Sequence, residues 1–322
     1  MRRCALSFLI LCSCARHETT APVRIAVGGQ AQLIYLVATL ADTLGFYKEE
    51  GLTVTIQDFP GGAKSLEALL GGSTDVVCGF YDHAIQMAAQ GKSLRAFVSV
   101  LRYPGLVAVS PRVARVEDLK GKIVGVSAAG SSTQMFLNYL LARHGMKADD
   151  VSVASIGMSA TAVAAITHAK VDAAIMTDPA LEIVRQQMPA LKILADTRTA
   201  EGVREVFGVD QYPSVVFYST PAWIDAHREE TRKTAQAALR AMEWLRSHTP
   251  EEIRARMPAQ FRTGNDAADL EGVRSLQAML SADGKMSLDG AEAVRKVLAV
   301  SLPSLREANL GLAGTFTNEF VP

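Results

Sequence analysis

The chain of 322 residues is about twice the usual length of a domain, so two domains are expected. Hydrophobic residues make up 49% and charged residues 20%, the balance of a packed globular protein, which excludes a disordered one. Lys plus Arg equals Asp plus Glu at 33 each, and without a basic surplus no nucleic-acid partner is expected.

The first elements in chain order are not fold. Arg2 and Arg3 give a positive start, Ala5 to Cys12 are almost wholly apolar, and polar residues follow from Arg16. That layout predicts an export signal over residues 1–13, too short for a permanent membrane helix. Leu11-Cys12-Ser13-Cys14 resembles a bacterial lipoprotein cleavage box, with the cut before Cys14 and a lipid on its sulfur; an ordinary cleaved signal is the alternative. Residues 14–22, polar with Thr and Pro, then form a tether. With Cys14 acylated only Cys78 remains, no disulfide forms within the chain, and Cys78 reads as a buried inert thiol in an apolar strand.

From Val23 short apolar runs alternate with amphipathic stretches. Strands are predicted at Val23–Val27, Thr53–Phe59, Val76–Gly79 and Arg95–Val100, with helices over Leu33–Leu44, Gly61–Leu70 and His83–Gln90. The pattern restarts after Gly121-Lys122. Strands are expected at Ile123–Val126, Val151–Ile156, Asp172–Met176, Lys192–Ala195 and Ser214–Ser219. Ser131-x-x-Gln134 predicts a capping box before a helix to Arg143, Ser159 a cap for a helix to His168, and Asp178-Pro179 an N-cap followed by an N1 proline. From Pro221 the texture is helical, with Thr249-Pro250-Glu251-Glu252 as a capping box. Strand–helix alternation implies α/β architecture with mostly parallel sheets.

In open α/β sheets ligands sit beyond the carboxyl ends of the strands. Those positions hold Gly28-Gly29-Gln30, Gly61-Gly62-Ala63, Tyr81-Asp82-His83, Gly130-Ser131-Ser132-Thr133, Gly157-Met158-Ser159 and Thr177-Asp178. Most are small residues, amides or hydroxyls ahead of a predicted helix, where unpaired N–H groups favour an anionic or polar ligand. Arg102 is a candidate clamp for an acidic ligand, with a surface ion pair as its alternative. Asp178 reads first as a cap, His83 equally as donor or surface residue, and Tyr35 and Phe136 as core. No P-loop lysine, G-x-S-x-G elbow, dinucleotide fingerprint or paired metal-ligand spacing is present, so no catalysis, cofactor or metal is expected.

Gly45-Phe46-Tyr47-Lys48-Glu49-Glu50-Gly51-Leu52, then Gly61-Gly62, Ala68-Leu69-Leu70-Gly71-Gly72 and Asp75 resemble the nitrate/sulfonate/taurine-type solute-binding proteins of ABC importers, a group with relatives that bind pyrimidine precursors of thiamine. Asp118-Leu119-Lys120-Gly121-Lys122, Gly130-Ser131-Ser132 and Val171-Asp172-Ala173 with Asp178-Pro179-Ala180 continue the resemblance, while His168-Ala169-Lys170 departs from it where a glycine usually stands. The resemblance implies a two-lobed type II periplasmic-binding fold: residues 23–106 plus 220–322 as one lobe, 107–219 as the other, hinge crossings near 106–110 and 214–219, and closure over the ligand. It implies ligand contacts from Gly29, Gln30, Gly62, Ala63, Gly130, Ser131, Ser132 and Thr133, and also from Tyr81, Asp82, His83, Ser159 and Asp178. The expected protein is a monomer in the periplasm or cell envelope that delivers a small organic anion, such as a sulfonate, taurine or nitrate, to a membrane permease with its ATPase. One alternative is a binder of a neutral or cationic pyrimidine precursor. Another is a cytosolic pyrimidine-forming enzyme of the same fold, which the export signal and the single remaining Cys78 oppose.

Overall fold

The computed structural model describes residues 21–306 and 310–322; the export signal and Cys14 lie outside the described residues. Two five-stranded sheets organise the chain. In the first half, β1 (Val23–Val27), α1 (Leu36–Thr43), α2 (Phe46–Glu49), β2 (Val54–Asp58), α3 (Gly62–Leu70), β3 (Val76–Phe80), α4 (Asp82–Ala89) and β4 (Arg95–Ser99) follow one another. The second group comprises β5 (Val107–Ser110), β6 (Ile123–Val126), α5 (Ser132–Arg143), β7 (Ser152–Ser155), α6 (Ala160–Thr167), β8 (Ala173–Met176), α7 (Ala180–Gln187) and β9 (Lys192–Asp196). α8 (Ala200–Phe207) and β10 (Val215–Ser219) lead to a helical tail: α9 (Pro221–Ala226), α10 (Arg228–Ser247), α11 (Pro250–Arg256), α12 (Asp266–Met279) and α13 (Leu288–Ser301).

The first sheet has the order β2-β1-β3-β10-β4 and the second β7-β6-β8-β5-β9. In each, one strand runs against the rest: β10 is antiparallel to both β3 and β4, and β5 to both β8 and β9. β3, β5, β8 and β10 are buried at every residue, which is why they read as unbroken apolar runs, whereas the edge strand β7 is largely exposed.

Two expected boundaries shift. Ser214–Ser219, read as a crossing at the border of the second lobe, supplies β10 of the first sheet, where Val215 faces Phe80 and Val216 faces Ser99. Leu106–Ser110, read as the other crossing, contains β5, with Val107 opposite Met176 and Asp196. Buried runs such as Val215-Val216-Phe217-Tyr218 need a strand on each side to pair their backbone groups, so both end inside a sheet. The chain therefore passes between sheets at residues 100–106 and 197–214. These two segments are tied together: Thr197 donates its hydroxyl to the Leu106 carbonyl at 2.8 Å, and Ser214 Oγ donates to the Tyr103 carbonyl at 2.6 Å.

Capping follows expectation only in part. Thr249 and Glu252 form the reciprocal box before α11. Ser131 occupies the N-cap of α5 without capping it, because its Oγ donates to the Ala128 carbonyl at 2.7 Å, and Gln134 instead accepts from the Gly130 N–H at 2.7 Å. Ser159 makes no cap bond. Asp178 is not a cap either: its peptide bond to Pro179 is cis, Pro179 holds the N-cap of α7, and the carboxylate is drawn to Arg198.

Candidate functional site

The loops that follow β1, β2, β3, β6 and β8 converge where the two sheets face each other. Close backbone approach requires glycine at the centre: a Cβ on Gly28 would lie 2.4 Å from the Gly62 amide nitrogen. Between the halves lies an enclosed cavity with about 10 Å³ for a water-sized sphere, room for a single water. Gly28, Gln32, Tyr35, Gly62 and Phe80 line it from the first half, and Ser127, Ser131, Ser132, Thr133 and Met158 from the second. Its polar wall is a triangle of hydroxyls at the start of α5: Ser127 to Ser131 2.8 Å, Ser127 to Thr133 2.9 Å, and Ser131 to Thr133 2.7 Å.

A second small cavity adjoins the first and shares Phe80, Leu106 and Ser132 with it. Its wall is apolar and aromatic. Phe207 stacks on Tyr212 with ring centroids 4.8 Å apart and meets Phe136 and Tyr139 edge-on at 5.7 and 5.0 Å. Asp82 is the one carboxylate lining either cavity, and no Lys, Arg or His lines them. Asp82 is 2% exposed and accepts a hydrogen bond from Ser132 Oγ at 2.8 Å, a bond that joins α4 to α5 and so spans the two halves. Burial pushes its carboxyl up from the ordinary value, opposed by His83 and by the Ser132 bond.

Of the residues expected to bind, Gly62, Asp82, Ser131, Ser132 and Thr133 come together on these cavities. Gly29 and Gln30 instead donate their amides to Asp58 at 3.2 and 2.7 Å, and the Gln30 side chain donates to Thr39 at 3.1 Å. Ala63, Gly130 and Ser159 sit beside the cavities without lining them. Tyr81 is buried with its hydroxyl bonded to Thr315, and burial raises it to about 12. His83 lies behind Gly62, with Nδ1 3.0 Å from the Tyr218 hydroxyl and Nε2 without a partner; burial lowers its pKa, opposed by Asp82. Arg102 lines neither cavity; it stacks over Tyr103 at 5.0 Å and donates to the Ala278 carbonyl at 3.0 Å.

Asp178 serves as a strut between the halves. Its carbonyl accepts from the Leu33 N–H at 3.2 Å, and its carboxylate lies 3.3 Å from Arg198, which also reaches Glu182 at 3.2 Å and Asp196 at 2.7 Å. Burial raises the Asp178 carboxyl, opposed by Arg198. Beside this strut Gln32 donates to the Gly28 carbonyl at 2.6 Å and accepts from Thr177 Oγ1 at 3.2 Å, linking the cavity wall to the opposite half. Sequence reasoning missed Gln32, since a glutamine ahead of a helix carries no signal of its own. The aromatic wall was missed because its members come from α5, α8 and the second crossing, far apart in the chain. Tyr35 and Phe136, read as core, line the cavities while remaining almost wholly buried. Among the described residues no group of three or more His, Cys, Asp or Glu is placed to hold a metal, and no helix is long and apolar enough to cross a membrane.

A sequence model described as NMT1/THI5-like matches residues 35–253, and the chain belongs to that family. A protein of Brucella abortus, provisionally named a binding protein, is 27% identical over 217 residues; the match covers 67% of this chain and 64% of that one. The chain thus spans slightly less than two thirds of that relative's length. The 4-amino-5-hydroxymethyl-2-methylpyrimidine phosphate synthase of Aspergillus parasiticus is 25% identical over 219 residues, covering 64% of this chain and 61% of that one. A solved structure from Bordetella bronchiseptica is 36% identical, with a TM-score of 0.88, and covers 94% of this chain and 96% of that one. The alkanesulfonate-binding protein SsuA of Xanthomonas axonopodis pv. citri, bound to MOPS, superposes with a TM-score of 0.70 at 20% identity, covering 92% of this chain and 98% of that one. The fold is the type II periplasmic-binding fold, two mixed sheets flanked by helices.

Proposed function

We propose that this member of the NMT1/THI5-like family is the exported solute-binding component of an ABC importer, and that it captures a small uncharged or cationic ring compound of the pyrimidine-precursor kind and hands it to a membrane permease. The observation that carries this reading is the charge of the two cavities: one buried carboxylate, Asp82, and no cation. An anion there would face Asp82 without a counter-charge, whereas a protonated ring nitrogen or exocyclic amine would pair with it. The hydroxyl triangle offers donors and acceptors to ring heteroatoms, and the aromatic wall offers a flat apolar surface. The sulfonate expectation rested on the donors that dominate the loops and on Arg102, which lines neither cavity and donates to the Ala278 carbonyl.

Binding rather than turnover is favoured by the inert setting of Cys78, which is fully buried in β3 with its thiol pushed well up by burial. The two cavities have room for about one water each, so a ring compound enters when the halves part and the cross-half contacts of Gln32, Asp82 and Asp178 release. Export and lipidation at Cys14 belong to the same proposal; Cys14→Ala is expected to release the protein from membranes, and unchanged membrane association would reject the anchor. For the ligand, a thermal-shift panel of sulfonates, nitrate, carboxylates and aminopyrimidines decides. Stabilisation of about 2.7 kcal/mol is expected at about a hundredfold excess of the right class over its Kd. A shift with sulfonates or nitrate and none with aminopyrimidines refutes the reading.

A further inference from the structure

Two of the contacts that hold the halves together end on buried aspartates, one from each half. Asp82, at the start of α4, is 2% exposed and accepts from Ser132 of α5. Asp178, after β8, is 4% exposed, and its carbonyl takes the Leu33 N–H from across the gap. The helical tail meets its carboxylate from another side. Gly272 lays α12 on it, since a Cβ there would come within 3.4 Å of the Asp178 Cβ. One turn on, Ser275 acts on the same carboxyl. Asp178 Oδ1 and Ser275 Oγ are both buried without a bond, so each is the polar group the other lacks. The tail is tied to the first sheet, beside which the Ser281 N–H donates to the Val100 carbonyl at 2.8 Å.

The surroundings of the two carboxylates differ. Around Asp82 stand His83 on its own helix and the phenols of Tyr35, Tyr212 and Tyr218, from the segment before α1, the second crossing and β10. Burial pushes these phenols well up and the imidazole down. Tyr139 of α5 lines the same cavity, and among the described residues no Lys or Arg lines either one. Around Asp178 stand Arg198 and Glu182 of α7. Arg198 is shared with Glu182 at 3.2 Å and with Asp196 of β9 at 2.7 Å, and Arg185 reaches Glu182 at 3.0 Å. On α12, Asp269 is bonded to Arg254 at 3.0 Å. An ionised Asp82 thus has no counter-charge, and an ionised Asp178 has only a share of one. Parting the halves removes Ser132, Leu33 and α12 from the two side chains and lets water reach them.

We propose that the two aspartates form a proton-dependent latch: protonated, they hold the halves together through Ser132 and Ser275, and ionised, they drive the halves apart and open the cavities to solvent. Protonation leaves each carboxyl an acceptor oxygen for its serine and adds a donor. The linkage has one sign. Burial raises both carboxyls, so the closed arrangement keeps its protons to higher pH than the parted one does. Closure is favoured in full below the ordinary value of about 3.9 and is lost as pH rises through the raised values. The latch belongs to the chain alone and holds whichever solute binds.

Spin labels on Lys64→Cys and Lys170→Cys, exposed residues that line one groove from the two halves, read the distance between the halves. With Cys14→Ala, the buried Cys78 is the remaining native cysteine beyond residue 13. Between pH 5 and 8 the ratio of parted to closed molecules is expected to rise by up to about tenfold per pH unit for each aspartate. Asp82→Asn, which keeps an acceptor for Ser132, is expected to flatten this rise and hold the halves together at pH 8. Adding Asp178→Asn is expected to remove the rest, with circular dichroism at each pH as the control for folding. Where the double variant does not fold, Asp82→Asn alone decides. A distance that stays fixed with pH, or that changes in Asp82→Asn as it does in the parent, overturns the latch. Lengthening on acidification overturns its sign. The solute class is read separately, by the thermal-shift panel.

Discussion

Replacing Asp82 by Asn tests the cleft chemistry through two effects of opposite sign. The carboxylate is 2% exposed and holds one side-chain hydrogen bond, from Ser132 at 2.8 Å, so when ionised it is a buried charge with little compensation. Asparagine keeps the shape, and its Oδ1 can accept the Ser132 bond. Removing the charge is expected to raise stability by about 1 kcal/mol, a shift of roughly 1–2 °C for a chain of this size. The same change removes a charge-assisted hydrogen bond to the guest, worth about 1.5–3 kcal/mol, so affinity is expected to fall about ten- to a hundredfold. The sign with pH follows from the raised carboxyl. The native state keeps the Asp82 proton to higher pH than the unfolded chain does. Its stabilisation is complete below the unfolded value of about 3.9 and is lost as pH rises through the raised native value. The stability gap between Asp82→Asn and the parent is therefore expected to widen as pH rises from about 4. Thermal melts across pH together with calorimetric titration measure both effects. A variant that is less stable at neutral pH and binds a cationic aminopyrimidine undiminished would refute the reasoning.

Other perturbations follow from the packing. Gly28→Ala would set a Cβ 2.4 Å from the Gly62 nitrogen, so the two loops must part, and urea titration is expected to show a loss of about 1–3 kcal/mol. Phe207→Ala removes the ring that touches Phe136, Tyr139 and Tyr212; a loss of about 3–5 kcal/mol is expected, and a loss below about 1 kcal/mol would mean that the aromatic wall is not packed as described. Gln32→Leu leaves the buried Gly28 carbonyl without its partner and cuts the link to Thr177. Small-angle scattering is expected to show a more open, larger particle in the presence of ligand, with affinity reduced about tenfold or more.

Much of the fold was legible because buried central strands must be apolar at every position. β1, β3, β6 and β8 each announced themselves as short valine-, isoleucine- or alanine-rich runs closed by glycine or a polar turn. β5 and β10 were visible as apolar runs too, but their place was not: which sheet a strand joins is a matter of pairing across long separations, and Val107 and Val215 carry no local mark of it. α8 went unread although Val203 and Phe207 stand one turn apart on its buried face, because glycine and three charges interrupt so short a segment. In the site, the small and hydroxyl residues at Gly62 and Ser131–Thr133 were legible because a helix start after a strand restricts what can stand there. Direction was not legible. Gln30 and Arg102 are the right residue types at strand ends, and each turned out to bond its own side of the structure, to Thr39 and to Ala278.

The position of β10 bears on how the polypeptide acquires its shape. The second sheet draws on one unbroken stretch, from β5 to β9, whereas the first needs β10 wedged between β3 and β4 before either strand has its full set of backbone partners. During synthesis the ribosome must deliver Ser219 before the earlier sheet is complete, so the later-encoded body is free to consolidate first and the N-terminal strands wait with an unpaired seam.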